Sequence, residues 1–380
     1  MPAQIDPFHA IAIGALAHRL AAEGRSIIHM EYGQPSTGAP AAAIAAAHRV
    51  LDSDPLGYWE SPALKERIAR SYAEDHGVAV APEQVILTCG ASPALLLALN
   101  TLFAPGDRVA LARPGYVAYR NTLKALHIEP VEIECGEAAR FQLTAAALAA
   151  LDPAPDGVII ASPANPTGTV IARAEMAAIA EICAARGIRI VSDEIYHGLS
   201  YVGPVDSILR FAPDALVVNS FSKYFSMVGW RLGWLVVPEA LVPVIERLAQ
   251  NLFICPSTIA QHAALACFEP DSIADYEHRR AEFKARRDYL APELNRLGLT
   301  VPVLPDGAFY AWADCSAACA RLGIKDSWDF TFELLNKAHV AVTPGRDFGQ
   351  AETARFIRFS SASAMGELRT AVGRIAAMLG

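Results

Sequence analysis

From about residue 84 onward, short β-branched runs alternate with longer Ala- and Leu-rich stretches of helical period, and nearly every run stops abruptly at polar residues. This alternation constrains the fold more than any other feature of the chain. The runs at 85–88, 109–112, 131–133, 158–161, 188–192, 216–219 and 235–237 are predicted as strands, with helices between several of them, such as 93–103 and 174–186. Most of them are apolar at consecutive rather than alternate positions, which marks strands covered on both faces. Helical crossovers between such strands impose a mainly parallel sheet. The expected fold class is therefore α/β, a large domain whose central sheet is sandwiched by helices.

The last third reads differently. A charged amphipathic helix is predicted over 275–297, a strand over 309–313, and helices over 327–336 and 365–378. This is the pattern of a smaller α+β domain. The expected organisation is a segment 1–45 that packs on the small domain, a large domain 46–280 and a small domain 281–380. No repeat and no low-complexity linker interrupts the 380 residues.

Composition excludes several classes. A chain that is 53% hydrophobic and 19% charged has ample material for a core and is no disordered tail. Its 32 basic and 40 acidic residues leave a net charge of −8, which a polyphosphate backbone would repel, so no nucleic-acid partner is expected. No apolar run is long enough to span a bilayer, and the N-terminus has no basic stretch ahead of an apolar one, so neither a membrane partner nor a targeting segment is expected. The seven cysteines are scattered, without a CxxC pair or zinc spacing. They predict reduced thiols, no metal and a cytoplasmic location.

The strand ends carry the chemistry. Gly90-Ala91-Ser92 follows the first strand, Asn165-Pro166-Thr167-Gly168 lies just past the fourth, Asp193-Glu194-Ile195-Tyr196 closes the fifth, and Ser220-Phe221-Ser222-Lys223 closes the sixth. In open α/β sheets a ligand binds beyond the carboxyl ends of the strands, so these groups can converge on one molecule. Small residues at a helix start let backbone N–H groups approach an anion, although Gly90-Ala91-Ser92 alone reads equally as a tight turn with a capping serine. Asp193 at the end of an apolar strand needs a partner, because an unpaired buried charge is costly; capping the next turn is the plainer alternative. Lys223 stands in a segment almost free of charge between Asp214 and Arg231. A lysine acting as a nucleophile must have a depressed pKa or be held as a Schiff base.

At this point the chain resembles a known family. The stretch from Ser220 to Gly233, with Lys223, Gly229 and Arg231 in register, resembles the lysine signature of class I/II pyridoxal-phosphate-dependent aminotransferases, the aspartate-aminotransferase-like enzymes of fold type I. Gly33-Gln34-Pro35, Tyr58, Gly90-Ala91-Ser92, Asn165-Pro166-Thr167-Gly168, Asp193 to Tyr196 and Arg358-Phe359-Ser360 accompany it in the same order. The resemblance runs from about residue 30 to the C-terminus.

It implies pyridoxal 5′-phosphate as cofactor, Lys223 as the Schiff-base lysine and carrier of the Cα proton, and Asp193 as partner of the pyridine nitrogen. It further implies Tyr196 and Asn165 at the ring oxygen, Tyr116 on the ring face, and a phosphate site made of Gly90, Ala91, Ser92, Ser220, Ser222 and Arg231. Arg358 would clamp the substrate carboxylate, with Arg355 as its local competitor, and Gly33 would let the chain pass close to the substrate. Tyr58 would reach the phosphate of a second subunit in a homodimer with shared sites; the alternative is a core aromatic in a loop. The expected activity is ping-pong transfer of an amino group from an α-amino acid to a 2-oxo acid. A β-lyase or decarboxylase on the same scaffold is the nearest rival, and a non-catalytic cofactor-sensing protein a more distant one. Ser36-Thr37-Gly38 departs from the acidic and aromatic residues common after Gly-x-Pro, and no second arginine marks a distal carboxylate site. Aspartate is therefore not assigned as the donor.

Overall fold

The computed structural model describes residues 5–380. A seven-stranded sheet dominates it, in the order Val85–Thr88, Gly233–Val236, Leu216–Ser220, Arg189–Asp193, Gly157–Ala161, Arg108–Arg113 and Glu129–Glu134. Only Gly233–Val236 runs antiparallel to its neighbours; the other pairings are parallel. Each strand sends alternate side chains to opposite faces, and both faces are covered. Val158, Ile160, Ile190 and Val217 join one apolar core, while Ile159, Val191, Leu216 and Val218 join the other. The expected α/β sandwich is the architecture observed.

The second sheet is small and antiparallel. Phe356–Ser360 pairs with Tyr310–Asp314 on one side and with Thr343–Pro344 on the other. Its core contains Leu290, Leu294, Phe330, Ile357, Phe359, Leu368 and Ile375. The N-terminal segment joins this unit through the parallel pair Ile28–His29 and Val340–Ala341, and Ile13, Ala17 and Leu20 of helix His9–Ala22 pack on Leu335 and Ala341.

Helix Pro270–Arg296 connects the two parts without a linker. Tyr276 belongs to the large core, whereas Leu290, Ala291 and Leu294 belong to the small one. Its buried stripe continues at helical spacing through Phe283. The expected boundary at 280/281 therefore falls inside one continuous helix, whose charged outer face hides the change of partner. The helix expected over 327–336 is α-helical only over Ser327–Glu333 and widens to a π-turn over Leu334–Ala338. Among the described residues, no helix is long and apolar enough to cross a membrane, and no group of His, Cys, Asp or Glu could hold a metal ion.

Candidate active site

The carboxyl ends of the parallel strands open onto a cavity of about 280 Å³, which strand Phe356–Ser360 closes from the other side. Gly33, Ala91, Ser92, Tyr116, Asn165, Asp193, Tyr196, Ser222, Lys223, Arg231 and Arg358 all line it. Residues more than three hundred positions apart in the chain, Gly33 and Arg358, thus meet in one place.

Lys223 is placed by the turn that follows Leu216–Ser220, and its Nζ donates to the Gly33 carbonyl at 2.5 Å. Burial, with the positive charges of Arg358 and Arg231 nearby, pushes its pKa down to about 8; Asp193 opposes this shift. Asp193 ends strand Arg189–Asp193 and is buried. Desolvation lifts its carboxyl above the usual range, against hydrogen bonds from Tyr119 and the Ile195 amide and the charge of Lys223. Its Oδ2 accepts from the Tyr119 hydroxyl at 2.6 Å and its Oδ1 from Ile195 N–H at 3.2 Å.

Arg358 is buried at the centre of the small sheet and stands over the Tyr310 ring at 4.6 Å. Nη1 donates to Asn165 Oδ1 at 2.9 Å and Nη2 to Thr343 Oγ1 at 3.1 Å and to the Glu31 carbonyl, while Nε has no partner. Its competitor Arg355 is half exposed and pairs with Asp314 and Glu352, away from the cavity.

Gly90-Ala91-Ser92 forms the turn at a helix start. Gly90 precedes helix Ala91–Leu102 with φ of +105°, and a Cβ there would lie 2.6 Å from Arg231 Nη2. The guanidinium therefore rests directly on the backbone of the turn. Gly90 itself does not line the cavity. Nor does Ser220, whose hydroxyl accepts from Ser222 N–H at 3.0 Å and so ties the turn that presents Ser222 and Lys223. Ser220 faces a second cavity of about 640 Å³, which Glu194 and Ile195 also line. Tyr116 lines the site at the start of helix Val117–Ala125. Tyr58 is 83% exposed, so it is neither a core aromatic nor part of its own chain's cavity.

Tyr119, Tyr310, Glu31 and Tyr32 are among the lining residues that the sequence does not single out. Tyr119 lies one helical turn after Tyr116, a spacing that puts both on one face. Tyr310 shares a face of the small sheet with Arg358, and its hydroxyl lies 2.6 Å from that of Tyr196. No local signal marks Glu31 or Tyr32.

Comparison with known proteins agrees with this geometry. The family model for aminotransferase class I and II matches residues 25–375, and the chain belongs to that family. It is similar to the valine–pyruvate aminotransferase of Mycobacterium tuberculosis, with 43% identity over 99% of this chain and 97% of the relative. Among solved structures, an aminotransferase from Mycobacterium tuberculosis superimposes with a TM-score of 0.94 at 42% identity, covering 99% of this chain and 97% of that one. The aspartate aminotransferase from Thermus thermophilus, solved with maleate, gives 0.92 at 31% identity, covering 98% and 97%. The protein is a pyridoxal-phosphate-dependent aminotransferase of fold type I that transfers amino groups between amino acids and 2-oxo acids.

The residues present fit that cofactor. A buried carboxylate, an amine of lowered pKa and a guanidinium seated on a glycine turn are set around one cavity, matching in kind a pyridine nitrogen, an aldehyde and a phosphate.

Proposed function

We propose that Lys223, Asp193 and Arg358 divide the transamination chemistry among them and that the amino donor is a neutral aliphatic amino acid. The observation that carries this reading is the convergence of these three side chains on one cavity. Lys223 Nζ is the amine that holds the cofactor's aldehyde carbon and moves the proton at the substrate Cα. Its lowered pKa leaves a useful neutral fraction for both tasks. Pyridoxal phosphate, when bound, supplies the electron sink for the pair left behind at Cα. Asp193 keeps a proton on the pyridine nitrogen, and Tyr119 and the Ile195 amide keep Asp193 oriented. Ala91, Ser92, Ser222 and Arg231 hold the phosphate. Tyr116 covers the ring face, and Tyr196 and Asn165 serve the ring oxygen. Arg358 presents a planar fork to the α-carboxylate, aligned by Asn165 and Thr343.

The donor class follows from the rest of the cavity wall. Lys223, Arg231 and Arg358 are its only cations among the described residues, and all three are already engaged. Phe8, Ala10 and Ile11 supply an apolar face. The similarity to a valine–pyruvate aminotransferase supports a branched or short aliphatic donor with a small 2-oxo acid as acceptor.

The same reading includes a homodimer. Tyr58, Leu252 and Ile254 are each at least half exposed, close to the segment where Thr258 Oγ1 donates to the Gly57 carbonyl. A second copy covering this face would bring Tyr58 to the partner's phosphate site. Seven free cysteines, two of them buried with Sγ atoms 3.7 Å apart yet unbonded, support a reducing cytoplasmic location.

The test is borohydride reduction of the holoenzyme followed by peptide mapping, together with a panel of donors. Label on the Lys223 peptide and parallel-line kinetics with valine or alanine are expected. Label on another lysine, or turnover confined to dicarboxylic donors, would overturn the reading.

A further inference from the structure

The cavity wall beside Arg358, between Glu31 and Gly33, contains a device that neither the fold nor the carboxylate clamp requires. Gly14 lies in the middle of helix His9–Ala22, and a Cβ there would sit 2.7 Å from the Tyr32 hydroxyl oxygen and 2.9 Å from Cε1. The Tyr32 ring therefore lies directly on the helix backbone. One turn further along, His18 Nε2 is 2.7 Å from the same hydroxyl. The ring also stacks on His29, with centroids 5.5 Å apart and planes 15° from parallel. His29 in turn is hydrogen-bonded through Nδ1 to Glu31 at 2.7 Å.

Tyr32 is thus held by Gly14 beneath it, His18 at its tip and His29 on its face. It immediately precedes Gly33, whose carbonyl accepts from Lys223, and it lines the same cavity as Lys223 and Ile11. Gly14 does not line that cavity, so it lies behind the ring. An aromatic side chain fixed in the wall of the cavity that holds the reacting amine limits the room for a donor's side chain.

We propose that Tyr32 is a specificity-determining residue: clamped between Gly14, His18 and His29, its ring sets the length of donor side chain that the cavity admits. The proposal rests on the reading that the donors are neutral aliphatic amino acids, and it identifies the residue that ranks them. A pocket wall discriminates between donors differing by one or two carbons by roughly 10- to 200-fold, which is the range available here.

The test compares kcat/KM of the holoenzyme for alanine, valine and leucine in the wild type and three variants. Tyr32→Ala removes the wall and is expected to raise the leucine-to-valine ratio at least tenfold, chiefly through KM for leucine. Gly14→Ala suits a helix, but its methyl pushes the ring from behind into the cavity. It is expected to lower the valine-to-alanine ratio at least threefold. Tyr32→Phe keeps the ring, loses the His18 latch and should fall between the wild type and Tyr32→Ala. Opposite shifts in the first two variants support the proposal; ratios within twofold of wild type in both overturn it. Should Tyr32→Ala fail to fold, an unchanged ratio in Gly14→Ala overturns it alone. Failure of the wild type to use any neutral donor overturns the parent reading together with this one. Normal aliphatic turnover with unmoved ratios overturns this one only.

Discussion

The hydroxyl of Tyr119 donates a 2.6 Å hydrogen bond to Asp193 Oδ2, joining two residues 74 positions apart at the base of the active-site cavity. Burial favours the neutral carboxyl of Asp193, and this bond favours the ionised form. Hydrogen bonds to charged groups contribute about 1.5–3 kcal/mol, so Tyr119→Phe is expected to lower turnover by roughly one order of magnitude or more. The change should act through Asp193. Asp193→Asn should bind the cofactor yet lose at least two orders of magnitude in rate, and in that background Tyr119→Phe should add little. A double-mutant cycle on rate and cofactor dissociation constant checks this; additive losses would make Tyr119 a packing residue.

The lowered pKa of Lys223 gives a pH dependence of definite sign. Only the neutral amine attacks an aldehyde. With a pKa of about 8, about a tenth of Lys223 is neutral at pH 7, against roughly 0.03% of an ordinary lysine. The rate at which the apoprotein takes up pyridoxal phosphate should rise about tenfold per pH unit below 8 and level off above it. Stopped-flow absorbance between pH 6 and 10 measures this. A rise continuing to pH 10 would show a lysine that burial has not perturbed.

Gly90→Ala tests the anion nest. The backbone there has φ of +105°, and the new methyl would crowd Arg231 Nη2. The expected result is weaker binding of pyridoxal phosphate by an order of magnitude or more, with binding of phosphate-free pyridoxal little affected. Equal losses for both ligands, measured by equilibrium titration, would point to general damage instead.

Tyr58 tests the shared site. Mixed dimers of Tyr58→Phe and Lys223→Ala chains would carry both lesions in one site and none in the other, if Tyr58 serves its partner. Mixing should then restore part of the activity. If Tyr58 serves its own chain, every site is damaged and mixing restores nothing.

Much of this arrangement was legible in the chain. Strands at 85–88 and 216–220 declare themselves because a strand buried on both faces needs consecutive apolar residues, whatever its neighbours. Asn165, Asp193 and Lys223 stand at or just past the ends of parallel strands, and Arg231 just ahead of the antiparallel one, so their positions at one end of the sheet come from local sequence plus a topological rule. Spacing favours Arg358 over Arg355, and in the fold Arg358 lies buried over the Tyr310 ring while Arg355 is half exposed.

Other features needed the folded molecule. Helix Pro270–Arg296 bears charges along its whole outer face, so nothing local marks where its buried stripe passes from one core to the other. Ser220 and Ser222 are equivalent hydroxyls in sequence, and only the turn decides that one ties the backbone while the other faces the cavity. Tyr119, Tyr310 and Tyr32 look like ordinary aromatics because their partners are distant: Asp193, Tyr196 and the helix around Gly14. The sequence by itself determined which elements form and which reactive groups stand at their ends, since both depend on neighbours along the chain. The packing of the small sheet and the N-terminal helix against the large sheet decided which phenols support those groups and how much room a substrate finds, since those depend on contacts that exist only after the chain has closed on itself.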